Sequence, residues 1–208
     1  NFPENTLASF DSALTKGANG IEMDIQLHHE KLLIVHNTIF DEKEYPTLEQ
    51  VLQSFKDKGR MEIEIKAFEN DIIEPLRKCL AENKVNNLEL TTSTLPLIPY
   101  IRAVFPNVSI GAIFQPGDFP AWMNEDILFR KIYGMMHLLD ANIAHIGSLP
   151  RERITLSLVS KLHTSHMKVH THIYKEEMEN QMASYTYFSE IGVDQCTFDD
   201  INLLSMVR

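Results

Sequence analysis

Short stretches of this chain alternate apolar and polar residues with period two, and the segments between them repeat apolar residues with a period near 3.6. The strand-like runs are Ile21–Leu27, Met61–Lys66, Leu88–Thr91, Ser109–Phe114, Asn142–Ile146, Met167–Ile173 and Val193–Phe198. Leu32–Val35 is a further short strand, placed to pair as a hairpin with Ile21–Leu27 through His28–Lys31. Helical patterns fill the gaps. Thr6–Lys16 carries Leu7, Phe10 and Leu14 on one face, with Asn5 as the expected N-cap after Pro3. Thr47–Lys58 repeats Leu48, Val51, Leu52 and Phe55, with Gly59 as the expected C-cap. Further helices are predicted over Asn70–Glu82, Leu95–Phe105, Asn124–Leu139, Arg151–His163 and Glu176–Glu190.

The main strands follow one another in steps averaging about 29 residues, enough for one strand, one crossover helix and two loops. Regular βα alternation along a whole chain implies a parallel sheet, either open and doubly wound or closed into an eight-stranded barrel. No glycine-rich phosphate loop follows an early strand, so the nucleotide-binding open sheet lacks its signature. Seven main strands behind an opening helix fit a (β/α)₈ TIM barrel short of its first strand. No linker-like boundary interrupts residues 1–208, which read as a single domain.

Composition narrows the functional classes. Of 208 residues, 44% are hydrophobic and 23% charged, which is ordinary globular usage with a core large enough to need no staple. The net charge of −10 argues against nucleic acid as a partner, because counterion release needs a basic face. No apolar stretch approaches the roughly 20 residues of a membrane span, and no signal peptide is visible, so no stable membrane insertion is expected. Cys79 and Cys196 are too few for a disulfide framework or a Cys-rich zinc site. A cytoplasmic location is expected on those grounds.

The candidate chemistry lies on two strands. Alternation puts Glu22, Asp24 and Gln26 on one face of Ile21–Leu27, and Glu62, Glu64 and Lys66 on one face of Met61–Lys66. In a barrel both faces point inward, and carboxylates in a packed lumen are costly unless paired or bound to a metal. Lys66 can neutralise one of them. A hard divalent cation held by Glu22, Asp24 and Glu64 would neutralise the rest, and all-oxygen ligation favours Mg²⁺ or Ca²⁺ over zinc. His36 follows Leu32–Val35, beside the strand of Glu22 and Asp24, at the strand ends where barrel active sites form.

Several of these pieces together resemble the glycerophosphodiester phosphodiesterase family. They are Pro3-Glu4-Asn5-Thr6-Leu7-Ala8-Ser9-Phe10, the run from Gly17 to Ile25 containing Glu22 and Asp24, Val35-His36-Asn37, and Ile63-Glu64-Ile65-Lys66. Ile191–Asp200 looks like the family's closing strand. The resemblance implies a (β/α)₈ barrel that hydrolyses a small-molecule glycerophosphodiester to glycerol 3-phosphate and an alcohol, with a bound divalent cation. By position it makes Glu22, Asp24 and Glu64 the metal ligands. It makes His36 one of two acid/base histidines and Lys66 the lysine near the phosphate. A phosphodiester needs a Lewis acid on its oxygens and a proton donor for the leaving alkoxide, which agrees with that assignment.

Three departures stand out. The family's His-Arg-Gly, which precedes "PENT" and supplies the other acid/base histidine, is not in this chain. The stretch from His36 to Pro46 is short where the family inserts a longer segment, which predicts an open site and loose selection of the alcohol. Asn37 stands where Asp is usual, and His170-Thr171 where Trp-Thr is usual, so His170 is the expected substrate-binding position in an altered glycerol pocket.

Two other readings remain. His170-x-His172 on one strand would share a face, as a zinc ligand pair does in amidohydrolase-type barrels. A chain lacking one acid/base histidine can also be a non-catalytic binding relic of the family. Outside the site, His163 and His166 are expected near a helix end.

Overall fold

The computed structural model describes residues 2–37, 39 and 45–206, and the chain divides into two compact units, Asn1–Ser109 and Ile110–Arg208. In the first unit the period-two runs become β1 (Gly20–His28), β2 (Lys31–Ile34), β3 (Arg60–Ile65) and β4 (Leu88–Thr92). The 3.6-residue patterns become α1 (Leu7–Thr15), α2 (Leu48–Phe55), α3 (Ile73–Asn83) and α4 (Ile98–Val104). β1 pairs with β3, and β3 with β4, in parallel; β2 turns back antiparallel on β1 as the hairpin pattern predicts. Both central residues of that turn, His29 and Glu30, take positive φ, the backbone that a two-residue hairpin demands.

Register places the polar residues in rows. Glu22 lies opposite Glu62 and Asp24 opposite Glu64 on β1 and β3, and Glu62 lies opposite Glu89 on β4. The alternate residues Met23, Ile25, Met61, Ile63 and Leu90 are fully buried, as are Leu48, Val51, Leu52, Ile72 and Leu76. Burying such side chains contributes about 1.5–3 kcal/mol each, so this apolar layer holds the polar rows at fixed register.

Two caps differ from expectation. The N-cap of α1 is Thr6, whose Oγ1 accepts from Ser9 N–H in a reciprocal capping box; Asn5 sits one residue earlier with φ 57°. α2 ends on Lys56, not at Gly59. Gly59 is needed for space instead, since a Cβ there would lie 3.0 Å from the Asn19 carbonyl and 3.1 Å from Leu14.

The second unit holds all but the first residue of β5 (Ser109–Ile113), then β6 (Ile143–His145), β7 (Lys168–Ile173) and β8 (Gln195–Phe198), parallel in that order, with α5 (Glu125–Leu139), α6 (Leu156–Thr164) and α7 (Met178–Glu190) between them. The helix expected over Arg151–His163 divides. A 3₁₀ turn spans Arg151–Arg153, and α6 starts afresh after Thr155, whose hydroxyl caps Leu158 N–H. No helix among the described residues is long and apolar enough to cross a membrane.

Candidate active site

Glu22, Asp24 and Glu64 converge. Each offers one carboxylate oxygen, and the three oxygens lie within 4.8 Å of one another. The parallel register of β1 and β3 brings Asp24 and Glu64 side by side, and the two-residue spacing puts Glu22 on the same face. Lys66 joins them from the end of β3. Its N–H donates to Ile25 O at 3.0 Å, which fixes the backbone. Its Nζ reaches Glu64 Oε1 at 2.8 Å and Asp24 Oδ1 at 3.3 Å.

Three carboxylates face one ammonium, and the electrostatics show the imbalance. Burial pushes the Glu22 carboxyl well above the usual range; Asp24, Glu62 and Glu64 push it the same way, and Lys66 opposes them. Burial works against the Lys66 ammonium, yet Glu64 and Asp24 outweigh it and raise its pKa. Glu22 Oε1 is buried with no hydrogen-bond partner among the described residues. An orphaned carboxylate oxygen beside two more carboxylates fits a hard divalent cation with all-oxygen ligation.

Glu62, on the same face of β3, has a different partner. Arg60 Nη2 donates to Glu62 Oε2 at 2.9 Å and Arg60 Nη1 to Glu89 Oε2 at 2.7 Å, so one guanidinium spans two buried carboxylates. Sequence reasoning assigned nothing to Glu89 or Arg60. The signal was present in the alternation Leu88-Glu89-Leu90-Thr91, which points Glu89 the same way as Glu62.

His36 follows β2 and is exposed. Val35 N–H donates to Asp24 O at 2.9 Å, so the chain leaves β2 next to a proposed ligand. The His36 ring is exposed, with Nδ1 at 3.0 Å from Asn37 Oδ1. Gln26 fixes the backbone here, its Nε2 donating to the carbonyls of Val35 at 3.1 Å, His36 at 3.2 Å and Asn37 at 2.8 Å. Sequence reasoning placed Gln26 on the polar face but gave it no task. Of the short stretch between His36 and Pro46, residues 38 and 40–44 lie outside the described residues, and with them the expectation of an open site.

In the second unit, His170 is buried on β7. Its Nδ1 lies 3.1 Å from His145 Nε2 and its Nε2 lies 2.9 Å from Thr197 Oγ1. His172 shares its face, but its Nε2 bonds Asp199 Oδ1 at 2.9 Å, so the two rings serve different partners. His163, in the last turn of α6, pairs with Asp194 at 2.8 Å, a helix-end placement as expected.

Residues 1–38 match the Glycerophosphoryl diester phosphodiesterase family. The match covers this N-terminal segment of the chain. The segment contains Asn5, Glu22, Asp24 and His36. Over 38 residues it is 47% identical to a glycerophosphodiester phosphodiesterase of Bacillus altitudinis, a match spanning 18% of this chain and 16% of that relative's length. Solved structures extend the likeness to nearly the whole chain. The glycerophosphodiester phosphodiesterase of Agrobacterium tumefaciens superposes with a TM-score of 0.74 at 16% identity, covering 99% of this chain and 94% of its own. A phosphodiesterase of Oleispira antarctica, solved with its product sn-glycerol-3-phosphate, gives 0.71 at 17% identity, covering 99% and 91%. At these identities the likeness shows the fold, which is α/β and of the TIM-barrel class of these neighbours, as the strand spacing predicts.

Proposed function

We propose that this chain hydrolyses glycerophosphodiesters to glycerol 3-phosphate and an alcohol, as one phosphodiesterase domain with a divalent cation, Mg²⁺ or Ca²⁺, held by Glu22, Asp24 and Glu64. The observation that carries the reading is the convergence of these three carboxylates, two of them on Lys66, with Glu22 Oε1 unpartnered among the described residues. The family match over residues 1–38 supports it, and so does a structural neighbour that binds sn-glycerol-3-phosphate.

When bound, the cation supplies Lewis-acid polarisation of a phosphoryl oxygen. Glu22, Asp24 and Glu64 provide the negative charge that holds it. Lys66 places an ammonium beside the same carboxylates and can take the remaining charge of the phosphodiester. His36 is the proton donor to the leaving alkoxide oxygen; its exposed ring can reach a substrate from solvent. His170 is the substrate-binding residue assigned to the glycerol pocket. A cytoplasmic location goes with this reading and is supported by the unpaired thiols of Cys79 and Cys196. The place in metabolism that follows is turnover of glycerol-containing lipid headgroups.

Release of glycerol 3-phosphate from glycerophosphocholine, measured with EDTA and with Mg²⁺ or Ca²⁺ restored, tests the proposal. Activity that needs either cation is the expected result. Activity undiminished by EDTA refutes the metal assignment, and none on a panel of diesters refutes the enzyme and favours a binding relic.

A further inference from the structure

Asp24 has a partner that is neither a metal-ligand candidate nor a charged group. Asn5 Nδ2 donates to Asp24 Oδ2 at 2.8 Å, and Asp24 N–H donates to Asn5 Oδ1 at 3.1 Å. One amide thus grips both the side chain and the backbone of the same residue. A carboxamide can do so because it carries a donor and an acceptor on one planar group. The grip sets the rotation of the carboxylate. Oδ2 is taken by Asn5, which leaves Oδ1 on the side of Lys66, 3.3 Å from its Nζ.

Among the described residues the Asn5 amide has no other hydrogen-bond partner. The first turn of α1 is capped by Thr6, whose Oγ1 accepts from Ser9 N–H at 3.2 Å and donates to Pro3 O at 2.9 Å. Asn5 itself sits in the left-handed region at φ 57°, which Asn tolerates better than most residues and Gly adopts freely. The backbone therefore makes the turn into α1, and the side chain is directed at Asp24.

We propose that Asn5 is a positioning residue for the cation: its amide locks the Asp24 carboxylate in the orientation that presents Oδ1 to the site. The inference rests on the reading of Asp24 as a ligand given above. Outer partners of this kind typically change metal affinity by roughly 10–100-fold when removed.

Asn5→Gly tests it cleanly, since glycine keeps the left-handed backbone and removes only the amide. Asn5→Asp is the second variant; it is isosteric and keeps the acceptor for Asp24 N–H but loses the donor. Each is compared with the wild type and with Glu64→Gln by calorimetric titration with Mg²⁺ alone and Ca²⁺ alone, and by thermal melting in EDTA. The expected result is an affinity reduced roughly 10–100-fold in both Asn5 variants, with the EDTA melting temperature of Asn5→Gly close to wild type. Wild-type affinity in Asn5→Gly overturns the proposal, even if Asn5→Asp is weakened, because the added charge alone then explains the loss. Should the wild type bind neither cation, and so match Glu64→Gln, the ligand reading falls and the positioning role falls with it. Weakened binding in Glu64→Gln but not in Asn5→Gly sinks the positioning role alone.

Discussion

β3 carries two carboxylates two residues apart, Glu62 buried and Glu64 half-buried, and they meet opposite fates. Glu62 shares Arg60 with its cross-strand neighbour Glu89, and the guanidinium gives each carboxylate its own nitrogen at 2.9 and 2.7 Å. Glu64 shares Lys66 with Asp24, while Glu22 beside them keeps one buried oxygen with no partner among the described residues. A guanidinium is a planar fork that can hold two carboxylates at once; an ammonium is a compact point charge. The first group holds itself together from within the protein. The second sets three carboxylates against a single ammonium, the imbalance on which the proposed cation site rests.

The largest effect expected from that contrast is on the second group. Glu64→Gln removes one of three carboxylates, so affinity for Mg²⁺ or Ca²⁺ should fall by more than the roughly 10–100-fold of an outer partner. The melting temperature in EDTA should hold or rise, because a repulsive charge is gone. A drop in both would make Glu64 a structural residue like Glu62.

Arg60→Met reverses the pattern. It leaves Glu62 and Glu89, both about 2% exposed, without their guanidinium. Losing one partner of a buried ion pair typically destabilises by about 3–5 kcal/mol, and the lower end applies because the Arg60 side chain is 27% exposed. Denaturant unfolding measures the loss, and cation affinity by calorimetry should move little. A stable Arg60→Met protein would erase the distinction between the two groups.

The smallest effect is a slope with pH. The Glu22 carboxyl binds its proton more tightly when folded than the ordinary value of 4.5. The folded state then holds more protons than the unfolded one, so stability in EDTA should fall as pH rises from that value through the raised pKa. One proton bounds the slope at about 1.4 kcal/mol per pH unit. Unfolding curves between pH 5 and 8 should show it, and Glu22→Gln should flatten it. An unchanged slope in Glu22→Gln would place the titration elsewhere.

Much of this is legible in the sequence. Strands and helices announce themselves through periods of two and 3.6, because each element buries one face, and the eight strands lie where the alternation places them. Glu22, Asp24, Glu64 and Lys66 were legible for the same reason, since period two puts them on inward faces of adjacent strands. The caps were less so. Thr6 and Asn5 are both good N-cap residues, and which one caps depends on where Asp24 lies, 19 residues away. Gly59 carries no positive φ; its need for space comes from Asn19 and Leu14, which no local pattern reveals.

Alone, the sequence determined which residues face inward and which carry charge, because side-chain direction follows from local periodicity. Tertiary structure decided how those charges divide. Glu62 and Glu64 are indistinguishable by alternation, and only the position of Arg60 against Glu89 and of Lys66 against Asp24 separates them. Likewise only the fold brings the Asn5 amide to Asp24. Local chemistry sets what a residue can do, and three-dimensional proximity sets which partner it meets.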